Sequence, residues 1–260
     1  MTELRQRWTS GDATLGAWMT SDSSAVAELV GDAGFDYVNI DMQHGLADYS
    51  DVVDMMCALE SSSATVTCRV PWNEQGIIGR VLDAGAMGVI IPMVNTVEQA
   101  ERAVAACRYA PDGARSYGPV RAARVNGPDY HSSANERVAC IPMIETVEAL
   151  NNLDDILAVP GIDAVYVGPA DLSLTLGLEP KGDHDDESFN DALRQILDAC
   201  DRHGVVAGIH ANPQLAATRL AQGFRMVTVT SDLQALGTGL VAALAAGRTT
   251  APDGTGDQLY

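Results

Sequence analysis

Two acidic side chains follow two consecutive apolar runs near the middle of the chain. Residues 140–144 form an apolar run that is followed by Glu145, and residues 164–167 form a second run that leads, through Gly-Pro-Ala, to Asp171. In a parallel α/β sheet or barrel the C-terminal strand ends share one face, so we expect these carboxylates to lie close together. Carboxylate oxygens suit hard divalent cations such as Mg²⁺ or Mn²⁺. The alternative is that both acids only stabilise the starts of the helices that follow them.

His44 and Arg69 lie at the predicted ends of two other strands. His44 belongs to the run Asp41-Met42-Gln43-His44-Gly45, and a histidine in this position suits acid/base catalysis near neutral pH. Asp41 could orient the His44 imidazole or pair with another group nearby. Arg69 closes the third strand, where a buried cation either neutralises neighbouring carboxylates or binds an anionic ligand.

The Gly168-Pro169-Ala170 step is predicted to open a helix. The first N–H groups of a helix have no acceptor within it, so this step could bind a substrate carboxylate. His44, Arg69, Glu145 and Asp171 come from four different strand ends. Their convergence on one face of the fold predicts a catalytic site.

Short apolar runs alternate with helical patterns along nearly the whole chain. Eight strand–helix units in about 250 residues predict an α/β fold of the (β/α)₈ TIM-barrel type, as a single domain over residues 1–248. A doubly wound open sheet is the alternative, weakened because no GxGxxG follows the first strand. The polar, Gly- and Pro-containing tail, residues 249–260, is predicted to be disordered. The predicted strands are 15–19, 37–40, 65–69, 88–92, 138–144, 164–167, 205–209 and 226–229. The predicted helices are 23–33, 49–60, 77–84, 97–107, 147–157, 188–203, 213–222 and 232–245.

Composition narrows the classes of partner and compartment. The 260 residues carry a formal net charge of -19, which repels nucleic acid and anionic membranes and predicts neither as a partner. No apolar run has the length of a membrane span, and the N-terminal residues lack the apolar region of a signal peptide. The five cysteines are widely spaced without a CxxC pair. They predict reduced thiols and a cytoplasmic location.

One long connection, residues 109–136, is predicted to be an irregular loop. It contains three arginines, Arg115, Arg121 and Arg124, in an otherwise acidic chain. Long loops in compact domains are usually functional or mobile. These arginines could lie beside an anionic substrate, at a subunit contact, or in surface salt bridges.

The motifs together resemble the HpcH/HpaI class II pyruvate aldolases, from about Leu15 to Ala245. Each motif alone is unspecific, but their order and spacing match this family. The matching pieces are Gly34-Phe35-Asp36-Tyr37, Asp41-Met42-Gln43-His44, Arg69-Val70-Pro71, residues 90–96 (Ile-Ile-Pro-Met-Val-Asn-Thr), Arg108-Tyr109-Ala110-Pro111, Ile144-Glu145-Thr146, Gly161-Ile162-Asp163 and residues 168–173 (Gly-Pro-Ala-Asp-Leu-Ser).

The resemblance implies a role for each of the singled-out residues. Glu145 and Asp171 are implied as ligands of one divalent metal, Mg²⁺, Mn²⁺ or Co²⁺. His44 is implied as the acid/base, Arg69 as the stabiliser of the pyruvate enolate, and Asp41 as a residue acting across a subunit interface. The backbone of Gly168 and Ala170 would bind the pyruvate carboxylate. The family also implies a homo-oligomer, a hexamer built as a trimer of dimers.

Two positions depart from better-known members of that family. Gln43 stands where many have glutamate, and Met143 stands where the dicarboxylate-cleaving members have glutamine. The identity of the aldehyde therefore stays open. Lys181 is the only lysine of the chain and lies in a polar loop that would not lower its pKa, which favours metal over Schiff-base chemistry.

The sequence thus predicts a metal-dependent carbon–carbon lyase. The expected reaction is the reversible cleavage of a 4-hydroxy-2-oxo acid to pyruvate and an aldehyde, both of them small-molecule partners. Two alternatives remain: a citrate-lyase or malyl-CoA type lyase, for which only the 109–136 loop could bind the CoA phosphates, and a non-catalytic barrel that binds a small acid.

Overall fold

The computed structural model describes residues 4–249 as a closed barrel of eight parallel strands in sequential order, with the eighth strand pairing with the first. The predicted (β/α)₈ fold is confirmed. The predicted tail lies outside the described residues, apart from Thr249, which ends the last helix. The strands are β1 (Thr14–Met19), β2 (Tyr37–Asp41), β3 (Thr65–Arg69), β4 (Gly88–Ile91), β5 (Ala139–Ile144), β6 (Ala164–Val167), β7 (Val206–His210) and β8 (Met226–Ser231). The helices are α1 (Leu4–Thr9), α2 (Ser24–Asp32), α3 (Tyr49–Ala58), α4 (Gln75–Ala84), α5 (Val97–Cys107), α6 (Ala122–Asn126), α7 (Tyr130–Arg137), α8 (Val147–Asn151), α9 (Leu153–Leu157), α10 (Pro169–Thr175), α11 (Glu187–His203), α12 (Ala216–Gln222) and α13 (Asp232–Thr249), with a 3₁₀ turn at Leu59–Ser61.

The structure corrects the sequence prediction in three places. The helix α1 was not predicted, because six residues are too few to show a helical period. The segment 109–136, predicted as a loop, contains α6 and most of α7, whose sequence Tyr-His-Ser-Ser-Ala-Asn-Glu-Arg has almost no apolar pattern. The helix predicted over 147–157 is divided at Asn152 into α8 and α9.

Bulky side chains fill the inside of the barrel, among them Trp18, Tyr37, Tyr166 and Met226. The hydroxyls of Tyr37 and Tyr166 both hydrogen-bond the Thr228 hydroxyl, at 2.9 and 2.5 Å. The outward side chains of the strands pack against the surrounding helices in a second, larger core. Because the strands are covered on both faces, β2, β4, β5 and β6 are buried along their whole length. No helix among residues 4–249 is long and apolar enough to cross a membrane.

Gly16 on β1 provides the space for the Tyr37 ring. A Cβ atom at Gly16 would lie 2.2 Å from Tyr37 Cζ, so a methyl group there must displace the ring or the strand. We expect Gly16→Ala to lower the free energy of unfolding by about 1–3 kcal/mol, the usual cost of overpacking a core. Gly79→Ala is the matched control, because it adds a methyl group within α4 where no heavy atom lies within 4 Å. The control should be neutral or slightly stabilising, since alanine favours helix. Urea denaturation measures the free energy of unfolding of both variants. Equal values for Gly16→Ala and Gly79→Ala would contradict the role of Gly16.

Candidate active site

A cavity of about 210 Å³ opens at the C-terminal ends of the strands. Five of the residues predicted from the sequence lie along its wall: His44, Arg69, Gly168, Ala170 and Asp171. The remaining lining residues are Trp18, Met143, Pro169, Tyr166 and His210. The sequence reasoning missed Trp18, Tyr166 and His210 as site residues.

Glu145 follows β5 and does not line the cavity itself; it is buried beside Gly168 of the cavity wall, with 2% of its surface exposed. Its Oε1 accepts a hydrogen bond of 2.8 Å from the backbone N–H of Met93. Met93 has φ 56°, a left-handed conformation that is uncommon outside glycine and is found at constrained functional positions. The backbone after β4 is thus shaped to hold the Glu145 carboxylate.

The pKa of Glu145 is raised to about 7, and burial of its carboxyl group is the largest cause. The nearby Asp171 carboxylate contributes to this increase, whereas the Met93 N–H and the charge of Arg69 oppose it. A cation beside these two acids would favour the charged form of Glu145, because it would offset both the burial and the neighbouring like charge.

The helix-capping alternative does not account for Glu145. The N-cap of α8 is Thr146, whose side chain accepts the backbone N–H of Ala149 at 3.0 Å. Asp171 is half-buried in the first turn of α10, and that helix has no side-chain cap. The Asp171 side chain is therefore available to a ligand.

Gly168 allows the Glu145 carboxylate to approach the strand end. A Cβ atom at Gly168 would lie 2.5 Å from Glu145 Oε2, so any larger residue would displace the acid. The residues fit a hard divalent cation, since both are oxygen donors and Mg²⁺ is commonly held by one or two carboxylates, with substrate and water as further ligands. Among residues 4–249 no group of three or more His, Cys, Asp or Glu side chains is placed to bind a metal. The protein would thus contribute two carboxylates.

Arg69 is fixed by Asp41 from the adjacent strand. The Arg69 Nε and Nη2 atoms donate to the two Asp41 oxygens, at 2.8 and 2.5 Å. The Trp18 indole N–H also donates to Asp41, and the Trp18 ring lies 4.9 Å from the guanidinium carbon. Burial alone would raise the pKa of Asp41, but the bonds and charge of Arg69 hold it below its usual value. Trp18 could have been expected here only from its inward position on β1.

His44 reaches the cavity from the loop after β2. Its side chain is exposed, and its backbone N–H donates to Asp41 Oδ1 at 3.3 Å, beside a bond of 3.0 Å from the Gln43 N–H. Asp41 therefore orders the backbone of the His44 loop and pairs with Arg69. It does not hydrogen-bond the His44 ring.

His210 ends β7 and faces the same cavity. Its ring makes an edge contact with Trp18, with centroids 5.1 Å apart. Burial, together with the charge of Arg69, lowers the pKa of His210 to about 4. The sequence prediction ended this strand at residue 209, one residue too early, so His210 was not identified as a strand-end residue.

The HpcH/HpaI aldolase/citrate lyase family model matches residues 14–237. The chain belongs to this family. A hydroxypyruvate/pyruvate aldolase of Rhizorhabdus wittichii is 38% identical over 91% of this chain and 94% of its own length. A 5-keto-4-deoxy-D-glucarate aldolase of Shigella dysenteriae is 36% identical over 84% of this chain and 86% of its own length. A crystal structure of a family protein from Burkholderia cenocepacia has a TM-score of 0.89 at 33% identity, covering 96% of this chain and all of that one.

These findings confirm the resemblance and the prediction that the protein is an enzyme of the carbon–carbon lyase class. Both relatives are named aldolases. The family name also includes citrate lyase, which corresponds to the alternative lyase reaction considered from the sequence. The non-catalytic barrel is therefore the weaker interpretation.

The arginines of the 109–136 segment do not reach the active site of this aldolase-family barrel. Arg115 is buried and pairs with Asp83 at 2.7 Å. Arg121 and Arg124 both pair with Glu60, at 2.9 and 3.0 Å. Arg121 also donates to the backbone at the ends of α3 and α4, which precede β3 and β4, so it lies at the opposite end of the barrel. Salt bridging, one of the predicted alternatives, is confirmed, and these arginines provide no CoA site beside the two acids.

The buried pair of Asp41 and Arg69 generates a stability prediction. Asp41→Asn would leave the Arg69 guanidinium buried without a carboxylate, and removing one partner of a buried pair costs about 3–5 kcal/mol. Asp154→Asn is the matched control, since Asp154 pairs with Arg202 on the surface, where such pairs contribute about 0–1 kcal/mol. Urea denaturation at neutral pH measures both. A loss below about 1 kcal/mol for Asp41→Asn would contradict a tightly held pair.

Proposed function

We propose that this protein is a divalent-metal-dependent aldolase that reversibly cleaves a 4-hydroxy-2-oxo acid to pyruvate and an aldehyde. The observation that carries the proposal is the buried carboxylate of Glu145, which lies against Gly168 in the wall of a cavity that Asp171 and Arg69 also line. A 2-oxo acid has two oxygens that can chelate a cation and a negative charge that a guanidinium can neutralise. The names of the curated relatives agree with this substrate class.

Glu145 and Asp171 are the proposed metal ligands. Bound to them, Mg²⁺, Mn²⁺ or Co²⁺ would act as a Lewis acid that polarises the 2-oxo group. Oxygen donors discriminate weakly among these ions, so the donor set is compatible with each of them.

Arg69 is proposed to stabilise the negative charge that develops on the pyruvate part as the carbon–carbon bond breaks. Its Nε and Nη2 are held by Asp41, while its Nη1 has no hydrogen-bond acceptor among the described residues. A donor fixed before the reaction stabilises developing charge without reorganisation. Asp41 acts as a positioning residue within its own chain, and its predicted action across a subunit interface stays a prediction.

The first turn of α10 is proposed to bind the pyruvate carboxylate. Gly168 and Ala170 border the cavity, and the first backbone bond back into this helix is the one from Leu172 to Gly168. The N–H of Ala170 therefore has no acceptor within the helix. A hydrogen bond from this N–H to the pyruvate carboxylate, together with the positive charge of Arg69, would place the 2-oxo group beside the two acids.

His44 is proposed as the acid/base. Its exposed ring borders the cavity, where it can take the proton from the 4-hydroxyl directly or through water during cleavage. It returns the proton to the aldehyde oxygen in the reverse reaction. Acid/base groups of this kind contribute about 10²–10⁴-fold to a rate.

Replacing either metal ligand tests the proposal. We expect Glu145→Gln and Asp171→Asn to lower pyruvate release from a 4-hydroxy-2-oxo acid by about 100-fold or more, because each removes a charged ligand. Binding of Mn²⁺, followed by electron paramagnetic resonance, should weaken in parallel. Glu148→Gln is the control: it changes an exposed acid of the next helix and should leave pyruvate release and Mn²⁺ binding unchanged. Full activity after EDTA treatment and in Glu145→Gln would exclude the metal mechanism.

A homo-oligomer is proposed from the last helix. Helix α13 touches the barrel near its start, at β1 and β8, and residues 233–248 are all exposed. Asp232 fixes this start, since its carboxylate accepts hydrogen bonds from the backbone and hydroxyls of Thr20 and Ser21. Beyond it, an apolar side of the helix is exposed: Leu233, Leu236, Leu240, Val241 and Leu244. Such a contiguous apolar surface marks a protein interface, and a second copy of this chain is the proposed occupant.

A single charge on this helix tests the interface. Leu240 is 62% exposed, so Leu240→Asp should cost little within one chain but should break an apolar contact between chains. We expect the mass measured by light scattering to fall to a smaller assembly. Leu29→Asp, on an equally exposed leucine of α2, is the control and should keep the original mass. An unchanged mass for Leu240→Asp would argue against α13 as the contact.

A further inference from the structure

The cavity has two chemically different sides. The acids and the proposed carboxylate site come from β5 and β6, and Arg69 comes from β3. The second side is made by Trp18 on β1 and by His210 on β7, together with His44 after β2, and it meets the first side where the Trp18 ring lies 4.9 Å from the Arg69 guanidinium. A 2-oxo acid bound on the first side leaves the second side to the aldehyde part of the substrate.

His210 is available to a ligand on this second side. Its side chain is half-buried at the cavity wall, and neither of its ring nitrogens hydrogen-bonds another residue within 4–249. The edge contact with Trp18 restrains the ring, and Trp18 is itself held by Asp41 and stacked on Tyr166 with centroids 5.4 Å apart. The imidazole is therefore held in place, and its two nitrogens make no hydrogen bond to the described part of the chain.

The charge state of His210 narrows the kind of ligand. Because burial and Arg69 lower its pKa to about 4, the ring is neutral at neutral pH and presents one N–H donor and one acceptor nitrogen. A carboxylate only accepts hydrogen bonds and pairs best with a cation. A hydroxyl group both donates and accepts, so it matches a neutral imidazole.

We propose that His210 binds a hydroxyl group on the carbon next to the aldehyde carbonyl, and so selects neutral, short α-hydroxyaldehydes. This inference rests on the proposed aldol reaction and adds the class of its aldehyde partner. With the 2-oxo acid against Glu145 and Asp171 and the aldehyde oxygen at His44, the neighbouring carbon would lie on the second side of the cavity, which Trp18 and His210 line. The cavity of about 210 Å³ favours a short aldehyde.

Paired aldehydes test this assignment. Glycolaldehyde and propionaldehyde differ by a hydroxyl in place of a methyl group, so the ratio of their kcat/KM values, measured with pyruvate and Mn²⁺, isolates the hydroxyl. We expect His210→Phe, which preserves an aromatic contact with Trp18, to lower the ratio about tenfold, the net worth of one hydrogen bond. The fall should come mainly from glycolaldehyde. His210→Gln keeps a donor and an acceptor and should retain part of the preference.

The ratio also separates recognition from a structural role. A ratio in His210→Phe equal to that of the original enzyme, with both aldehydes slowed alike or neither slowed, would overturn the proposal. If His210→Phe does not fold, as judged by circular dichroism, the comparison is made with His210→Leu, which also removes both the donor and the acceptor, and an unchanged ratio in that variant has the same meaning.

A separate measurement distinguishes failure of this inference from failure of the proposed function. Exchange of the pyruvate methyl protons with D₂O, followed by NMR with Mn²⁺ and without aldehyde, depends on the 2-oxo acid side of the site alone. Neither exchange nor condensation with any aldehyde would overturn the aldolase. Exchange together with an unchanged aldehyde ratio would overturn only the assignment of His210.

Discussion

The central constraint of the site is the burial of the Glu145 carboxylate at the mouth of the barrel, beside a second acid. Glu145 is buried, Asp171 lies near enough to raise its pKa, and the barrel holds both in place. Such an arrangement is unfavourable without a cation, because burial and a like charge both oppose ionisation. Both acids follow neighbouring strands in the chain, since β5 and β6 are hydrogen-bonded up to Ile144 and Val167. Their proximity is therefore set by the fold.

The surrounding backbone is adapted to these acids at two points. Met93 takes a left-handed conformation and donates its N–H to Glu145, and Gly168 lacks the Cβ that would collide with the same carboxylate. Strained or glycine-dependent positions persist where the surrounding structure determines them, and they cluster at functional sites. Both adaptations concern an oxygen of Glu145, which makes this residue the centre of the site.

The positive charge of the site belongs to Arg69, which is paired with Asp41 and not with Glu145 or Asp171. Asp41 takes two nitrogens of Arg69, and Trp18 supports both partners. Arg69 is thereby held between Asp41 and the cavity, so it only partly offsets the charge of Glu145. In the proposed reaction a cation would bind at the two acids, and Arg69 would be free to bind the anionic 2-oxo acid. His210 borders the same cavity, and in the proposed reaction its neutral ring suits an uncharged part of the substrate.

The sequence by itself determined the barrel and the residues at its strand ends. Alternating apolar runs and helical patterns predict eight strands within one or two residues, because a strand covered on both faces must be apolar throughout. Glu145, Asp171, Arg69 and His44 were recognisable since polar residues directly after such strands must lie on one face. The family resemblance added their roles, and the comparisons support the family itself.

The tertiary structure alone decided which of these groups touch. It placed Asp41 against Arg69, although a charge pair between neighbouring strands has no signature within either strand. It brought Trp18 and His210 into the cavity, because closure of β8 onto β1 makes the first and seventh strands near neighbours. It also placed the arginines of the 109–136 segment at the far end of the barrel, where Asp83 and Glu60 pair with them. These outcomes depend on barrel closure and on contacts between residues distant in the chain, and local patterns of hydrophobicity contain neither.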